Sequence, residues 1–269
     1  FPAAFQVDTK DTYNNSASVM KFEVPDANDP RGAYAGGAFF TQDGRDLSSY
    51  NVLTFWARAS KSATLDLVGF GLDLGANKYT TSVSGVKVNT NWRKYYIPIP
   101  DPAQLKAERG MFYYSEGAEE GNGYTFWIDE VKFENLGTVA HLKHAIMNGL
   151  SETKEAEVGE TVTVTGLKAS ANLPNGIDQE VDPSAAFFTF TSSDENIATV
   201  NASGEVRVQG AGTATITAKV GGKDAAGALI IKSAGLTPRP TTPAPVPNKA
   251  AADVISLYSN AYTNVPVDT

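Results

Sequence analysis

Through the first half of the chain, apolar and polar positions alternate in short runs that end at Gly, Asn, Asp or Pro. SVMKFEVPD, YAGGAFFT, YNVLTFWARAS, ATLDLVGFGLD, WRKYYIPIP and YTFWIDEVKFE are rich in Val, Ile, Phe, Tyr, Trp and Thr. A period of two in such residues, closed by turn formers, predicts strands. In LTFWARAS the alternation puts Leu53, Phe55 and Ala57 on one face and Thr54, Trp56 and Arg58 on the other. Helical patterns are confined to two stretches, 103–109 after Asp101-Pro102 and 139–147, both too short to organise a fold. The chain therefore reads as all-β.

The texture changes near Gly137. Trp56, Trp92, Trp127 and most tyrosines precede it, whereas 157–232 is built of small and β-branched residues. In GETVTVTG, FFTFTSSDENIATV, GEVRVQG, GTATITAKV and AGALIIKS the strands recur about every ten residues, the spacing of an immunoglobulin-like sandwich. Val206 and Val208, and likewise Ala214, Ile216 and Ala218, give their strands one core-facing side. The segment LKASANLPNGIDQEVDPSAAF is long for a connection between early strands. Next comes LTPRPTTPAPVPNK, whose prolines favour an extended, semi-rigid spacer. The expected organisation is a first sandwich over 1–137, a second over 138–234, a linker over 235–250, and over 251–269 the start of a third domain. A strand is expected from Asp253 to Tyr258, and the natural protein is expected to continue beyond Thr269.

Composition narrows the chemistry. The 269 residues carry 22 basic and 30 acidic side chains, a net charge of −8, and no cysteine. That excludes a disulfide scaffold, a thiol nucleophile and a cysteine-bound metal. Residues 1–137 hold 13 basic and 17 acidic side chains and residues 138–233 hold 7 and 11, so each segment is −4 and neither is a basic module. Nucleic acid is therefore not an expected partner. No apolar run approaches the roughly 18–20 residues of a membrane-spanning helix.

A glycosidase needs two carboxylates roughly 5–10 Å apart across the scissile bond. Glu119-Glu120 lie adjacent in the Gly-rich EGAEEGNG, where acids keep a turn solvated. His141 and His144 are the only histidines, and two ligands do not make a zinc site; they read as part of a solvated connection. GxSxG, P-loop and dinucleotide fingerprints are missing. The chain is not expected to be an enzyme.

Two resemblances add to this. FTFTSSDENIATVNASGEVRVQGAGTATITAKVGG resembles a bacterial immunoglobulin-like domain of the group-two (Big) type over about 157–232, which implies a spacer or adhesive module. Asp46-Leu47-Ser48-Ser49-Tyr50, LTFWARAS, NTNWRKYYIPI and the closing YTFWIDEVKFEN resemble a jelly-roll, galactose-binding-like carbohydrate-binding module over 16–136. Family-sixteen hydrolases carry E-x-D-x-(x)-E on one strand; here Trp127 stands two before Asp129, where the nucleophile would be. The domain order is similar to surface glycan-binding proteins of Bacteroidetes, those for β-glucans such as laminarin above all. The resemblance implies non-catalytic polysaccharide binding outside the cell, at the outer-membrane surface, by a monomer that is lipid-anchored in its full-length form. The alternatives are a stalk presenting a missing domain, an accessory region of a secreted glycoside hydrolase, and a protein-binding adhesin.

Sugar rings pack C–H patches on aromatic faces and pair their hydroxyls with donors and acceptors. Trp56 and Arg58, on the outer side of their strand, are either such a platform or a packed pair beneath a loop. In GMFYYSEG, Phe112 and Tyr114 face opposite to Tyr113 and Ser115, so one of Tyr113 and Tyr114 is expected outside, with Glu116 as hydroxyl acceptor. Tyr79 and Tyr34, near turns, are further candidates, whereas Trp92 and Trp127 read as core. Jelly-roll modules also imply a structural Ca²⁺, for which Asp129 and Glu23 are the candidate ligands.

Overall fold

Antiparallel pairing joins nine strands of the aromatic half: β1 (Phe5–Asp8), β2 (Val19–Val24), β3 (Tyr34–Arg45), β4 (Val52–Ala59), β5 (Ala63–Phe70), β6 (Thr81–Val88), β7 (Arg93–Pro98), β8 (Glu108–Gly117) and β9 (Tyr124–Glu134). The structure, a computed structural model, describes residues 4–137, 139–173, 176–235 and 249–257, without the side chains of residues 140, 141 and 251. The first sheet has the order β1-β2-β9-β4-β7; β3, β8, β5 and β6 form one end of the second. Leu53, Phe55 and Ala57 are buried between them, as the alternation predicts. There they meet a cluster of rings in which Phe22 stacks on Phe126 with centroids 4.7 Å apart and Tyr114 stands edge-on 4.4 Å from Phe22.

The second half adds β10 (Ala140–Ala145), β11 (Ser151–Glu155), β12 (Thr161–Thr163), β13 (Lys168–Asn172), β14 (Asp178–Pro183), β15 (Thr189–Ser192), β16 (Ala198–Val200), β17 (Glu205–Val208), β18 (Gly212–Val220), β19 (Lys223–Asp224) and β20 (Ala228–Ser233). Two sheets, β11-β20-β18-β15 and β12-β17-β16, enclose Val206, Val208, Ala214, Ile216, Ala218, Leu229 and Ile231. The fold is all-β, a jelly-roll sandwich followed by an immunoglobulin-like one.

The long segment between early strands of the second sandwich is a hairpin, β13–β14. Its second strand pairs with β6 of the first sandwich, Asp182 opposite Ser82 and Pro183 opposite Thr81. The second sheet thereby runs through seven strands, β10-β13-β14-β6-β5-β8-β3, and the two sandwiches form one compact unit. The seam is closed by the Ser184 N–H on the Thr80 carbonyl (2.8 Å), the Ser184 hydroxyl on the Lys78 carbonyl (2.7 Å) and the Tyr79 ring 5.2 Å from Phe187.

Within 139–147, Ala140–Ala145 are extended as β10, which pairs with β13, and Met147 opens a 3-10 turn, Met147–Gly149. Of 103–109, only Pro102–Gln104 turns, as a 3-10 element capped by the Asp101 side chain, and Glu108 already starts β8. The expected strand from Asp253 does not start there: Asp253 N–H closes a 3-10 turn, Ala251–Asp253, on the Ala250 carbonyl. Linker residues 236–248 and residues 258–269 lie outside the described residues.

Phe126→Ala empties the centre of the first sandwich and is expected to cost about 3–5 kcal/mol, read as a drop in the urea midpoint. A loss under about 1 kcal/mol would place the stabilising core elsewhere.

Candidate functional site

Each sheet of the first sandwich has an outer face, and the chain treats the two differently. On the first sheet, register sets Trp56 opposite Asp129 and Arg58 opposite Trp127. Residues 8–18 cross this face. Tyr13 stacks on Trp56 with centroids 4.0 Å apart, and the Arg58 guanidinium lies 4.5 Å from the Trp127 ring and 5.5 Å from Trp92 while binding Asp11 at 2.6 Å. Trp56 and Arg58 thus stand outside the core, as predicted, but their faces are taken by the strap. Trp92 and Trp127 join this layer instead of the core between the sheets.

Asp129 fastens the strap. Its Oδ2 accepts from the Tyr13 N–H (2.8 Å) and the Ser16 hydroxyl (2.6 Å), and its Oδ1 accepts from the Glu130 N–H (2.7 Å). Glu23 pairs with Thr125, four positions along β9 and so roughly 13 Å away by strand rise, and binds Lys21 at 3.0 Å. The two acids do not converge, and among the described residues no three His, Cys, Asp or Glu gather as metal ligands. This donor set does not fit a Ca²⁺ shell of six to eight oxygens.

Among the described residues no strap crosses the outer face of the second sheet. On β8, Tyr113 and Ser115 point outward, whereas Tyr114, 3% exposed, enters the core, where burial pushes its hydroxyl up to about 12. Glu116, 1% exposed, also points inward and is no acceptor for a bound sugar; it receives the Asp66 N–H. Burial pushes its carboxyl up to about 7, against the Asp66 N–H and the Tyr124 hydroxyl.

Outside, two tyrosines lie over glycines of neighbouring strands. A Cβ on Gly69 would stand 2.6 Å from Cε1 of Tyr113, so the ring occupies the space of a missing side chain. A Cβ on Gly117 would stand 3.1 Å from Cε1 of Tyr34, whose residue is 61% exposed. Asp66 Oδ2 accepts the Gly117 N–H at 3.0 Å and so sits beside Tyr34. Exposed Ser115 and Ser84 complete the face. Burial raises the Tyr113 hydroxyl's pKa; the neighbouring Ser82 hydroxyl lowers it and the Asp182 carboxylate adds to the rise. Apolar rings flanked by hydroxyl and carboxyl oxygens suit sugar C–H faces and hydroxyls.

Other expected positions fall elsewhere. Tyr79 packs into the seam and donates to Gln104 Oε1 at 3.1 Å. His144 is not solvated: 4% exposed, it bonds the Pro100 carbonyl through Nε2 at 3.1 Å, and burial lowers its pKa. Glu119 accepts the Thr64 N–H at a loop. The sequence reading missed Asp66, the Tyr13 strap and the outer side of the hairpin; alternation in KASAN and DQEVDP carried a signal for the last.

The family model described as carbohydrate binding domain 30 matches residues 2–135, and the intimin immunoglobulin-like domain matches residues 184–222. The chain is a carbohydrate-binding module joined to an immunoglobulin-like domain. No curated protein is matched by the sequence. Among solved structures, it is similar to the family 30 carbohydrate-binding module of the cellulosomal cellulase Cel9D-Cel44B of Clostridium thermocellum, at 19% identity and TM-score 0.38, covering 51% of this chain and 86% of that one. A family 11 module from Clostridium thermocellum, in complex with a β-1,3-1,4-mixed-linked tetrasaccharide, matches at 13% identity and TM-score 0.34 over 49% and 84%. A β-1,2-glucanase from Parabacteroides distasonis matches at 10% identity and TM-score 0.35, over 87% of this chain and 35% of that chain.

Asp129→Ala strands a main-chain N–H and a hydroxyl of the strap, and its expected cost is about 1–3 kcal/mol, visible as a lowered Tm. Chelator is expected to leave the wild-type Tm unchanged; a chelator-dependent Tm would contradict this assignment. Glu116 gives a pH signature. Between its ordinary value of 4.5 and about 7, the folded chain keeps a proton that the unfolded chain releases. Stability contributed by the neutral carboxyl is full below the lower value and lost as pH rises to the upper one, by about 3 kcal/mol in all. Glu116→Gln is expected to flatten that part of the curve of urea midpoint against pH, and an unchanged slope would assign it to another group.

Proposed function

We propose that the chain binds a neutral polysaccharide, a β-glucan such as laminarin, without turning it over, on the outer face of the second sheet. The observation that carries this reading is the pair of tyrosines, Tyr34 and Tyr113, each laid over a glycine of the next strand within a segment matched as a carbohydrate-binding domain. β-Linked glucose units have flat C–H faces, and two such rings about four residues apart along the strands, roughly 13 Å, offer separate stacking points. Asp66, Ser115 and Ser84 supply hydroxyl partners.

Binding without turnover is supported by how the carboxylates of this face are engaged. Asp66 accepts a main-chain N–H, and Glu180 and Asp182 share Lys168 at 3.0 and 2.6 Å. The setting we propose is the outer-membrane surface, where a lipid-anchored monomer would hold the glycan for degradation by other proteins.

Affinity electrophoresis on laminarin, mixed-linkage glucan and a cellulose derivative tests this. Retardation by at least one β-glucan is expected; equal mobility in all would overturn the reading. Tyr113→Ala and Tyr34→Ala are each expected to weaken binding by about tenfold, the equivalent of a ring contact of about 1.4 kcal/mol. Trp56→Ala should lower Tm while leaving affinity intact, and the opposite outcome would move the site to the first sheet.

A further inference from the structure

We propose that the glycan-binding face does not end with the carbohydrate-binding module but continues across the seam onto the immunoglobulin-like domain, which makes that domain a second half of the binding surface for a long polysaccharide chain. This inference rests on the reading above and extends it. Its basis is an unbroken row of partners across the seven-stranded sheet. Ala38 pairs with Tyr113, Tyr113 with Gly69, Gly69 with Ser82 and Ser82 with Asp182. Asp182 binds Lys168 at 2.6 Å, and Lys168 pairs with Ala145. Partners across a sheet project to the same side, so the face that carries Tyr113 also carries Asp182 and Lys168.

Alternation extends this side along the hairpin. Glu180, opposite Ser170, and Asp178, opposite Asn172, share it with Asp182, as does Lys143 opposite Ser170. Lys143, Ser170, Asn172 and Asp178 line a concavity of about 300 Å³. At the seam, the Tyr113 hydroxyl is close enough to Ser82 and Asp182 for both to act on its titration, so the stacking ring and the first polar groups of the second domain adjoin.

Dimension and charge identify the occupant. Strands about 4.8 Å apart give the module's four strands a width of about 14 Å and all seven about 29 Å, so the second domain doubles the path for a chain that stacks on Tyr113 and runs across the strands, with Tyr34, displaced along them, a separate stacking point. Lys168 is neutralised by Glu180 and Asp182, and the Asn172 amide donates to Asp178 at 3.0 Å. A surface of amide, hydroxyl and paired charges exchanges hydrogen bonds with sugar hydroxyls and gives an uncharged chain no repulsion. The module grips with rings, and the second domain adds polar contacts further along the same strand of glycan.

The test measures affinity of the 269-residue chain for a β-1,3-glucan tetrasaccharide and decasaccharide by calorimetry. Wild type is expected to prefer the decasaccharide by about tenfold or more. In the double variant Lys143→Ala, Asn172→Ala, and separately in Ser170→Trp, which fills the concavity from an outward position, that preference should collapse towards one. Tyr113→Ala should weaken both lengths and keep their ratio. A wild-type chain that binds both lengths equally, or variants that retain the full preference, would overturn the extension while leaving the module's binding in place. If neither length binds wild type, the extension fails together with the reading above for a β-1,3-glucan.

Discussion

The atom that matters most on this surface is one that is missing. With no Cβ on Gly69, the Tyr113 ring settles into the space above β5, and its hydroxyl reaches Ser82 at the edge of the module. A side chain at that position would stand 2.6 Å from the ring and 2.3 Å from the Thr81 carbonyl, so ring and strand pairing would both have to shift. The same arrangement recurs at Tyr34 and Gly117. A sandwich consumes the inner side of each sheet, and whatever lies on the outer sides decides what it can bind. Here the outer side of one sheet is filled by Tyr13, Trp56, Trp92, Arg58 and Trp127 under the strap, and the other is left as a floor of glycines and serines with tyrosine rings set into it.

The two outer faces also have different chemistry. Indoles around a guanidinium, with Asp129 taking three hydrogen bonds beneath, form a layer that holds residues 8–18 to the sheet. Such contacts gain from the exclusion of water and would have to be broken to admit a sugar. On the opposite face Asp66, Ser84 and Ser115 are exposed, and a sugar hydroxyl would replace water there at little cost. The hairpin β13–β14 carries that polar character past the module. Its inner residues Ala169, Ala171 and Val181 are buried, while its outer ones are charged or bear an amide or a hydroxyl.

Alternation made much of this fold legible. Leu53, Phe55 and Ala57 on one side of β4, and Val206, Val208, Ala214, Ile216 and Ala218 in the second sandwich, face inward as their period of two requires. It also separated Tyr113 from Tyr114 without deciding which one faces out, because both neighbours in β8 are aromatic or polar. Trp56 could not be assigned from its own strand. What covers it is Tyr13, more than forty positions upstream, and cover of that kind leaves no trace in local pattern. Glu116 read as a surface acceptor because carboxylates are seldom buried; the cost of burying it is met by holding a proton and taking the Asp66 N–H. The segment 168–183 read as an insertion because its partner, β6, belongs to the other sandwich.

The most direct measurement is chemical-shift mapping of the labelled chain during titration with a soluble β-glucan oligosaccharide. The account predicts that main-chain amides of Gly36, Gly69, Tyr113, Ser115 and Gly117 move together. The indole N–H signals of Trp56, Trp92 and Trp127 should stay where they are. Movement of the three indoles with a silent Tyr113 row would contradict it and put the sugar beneath the strap.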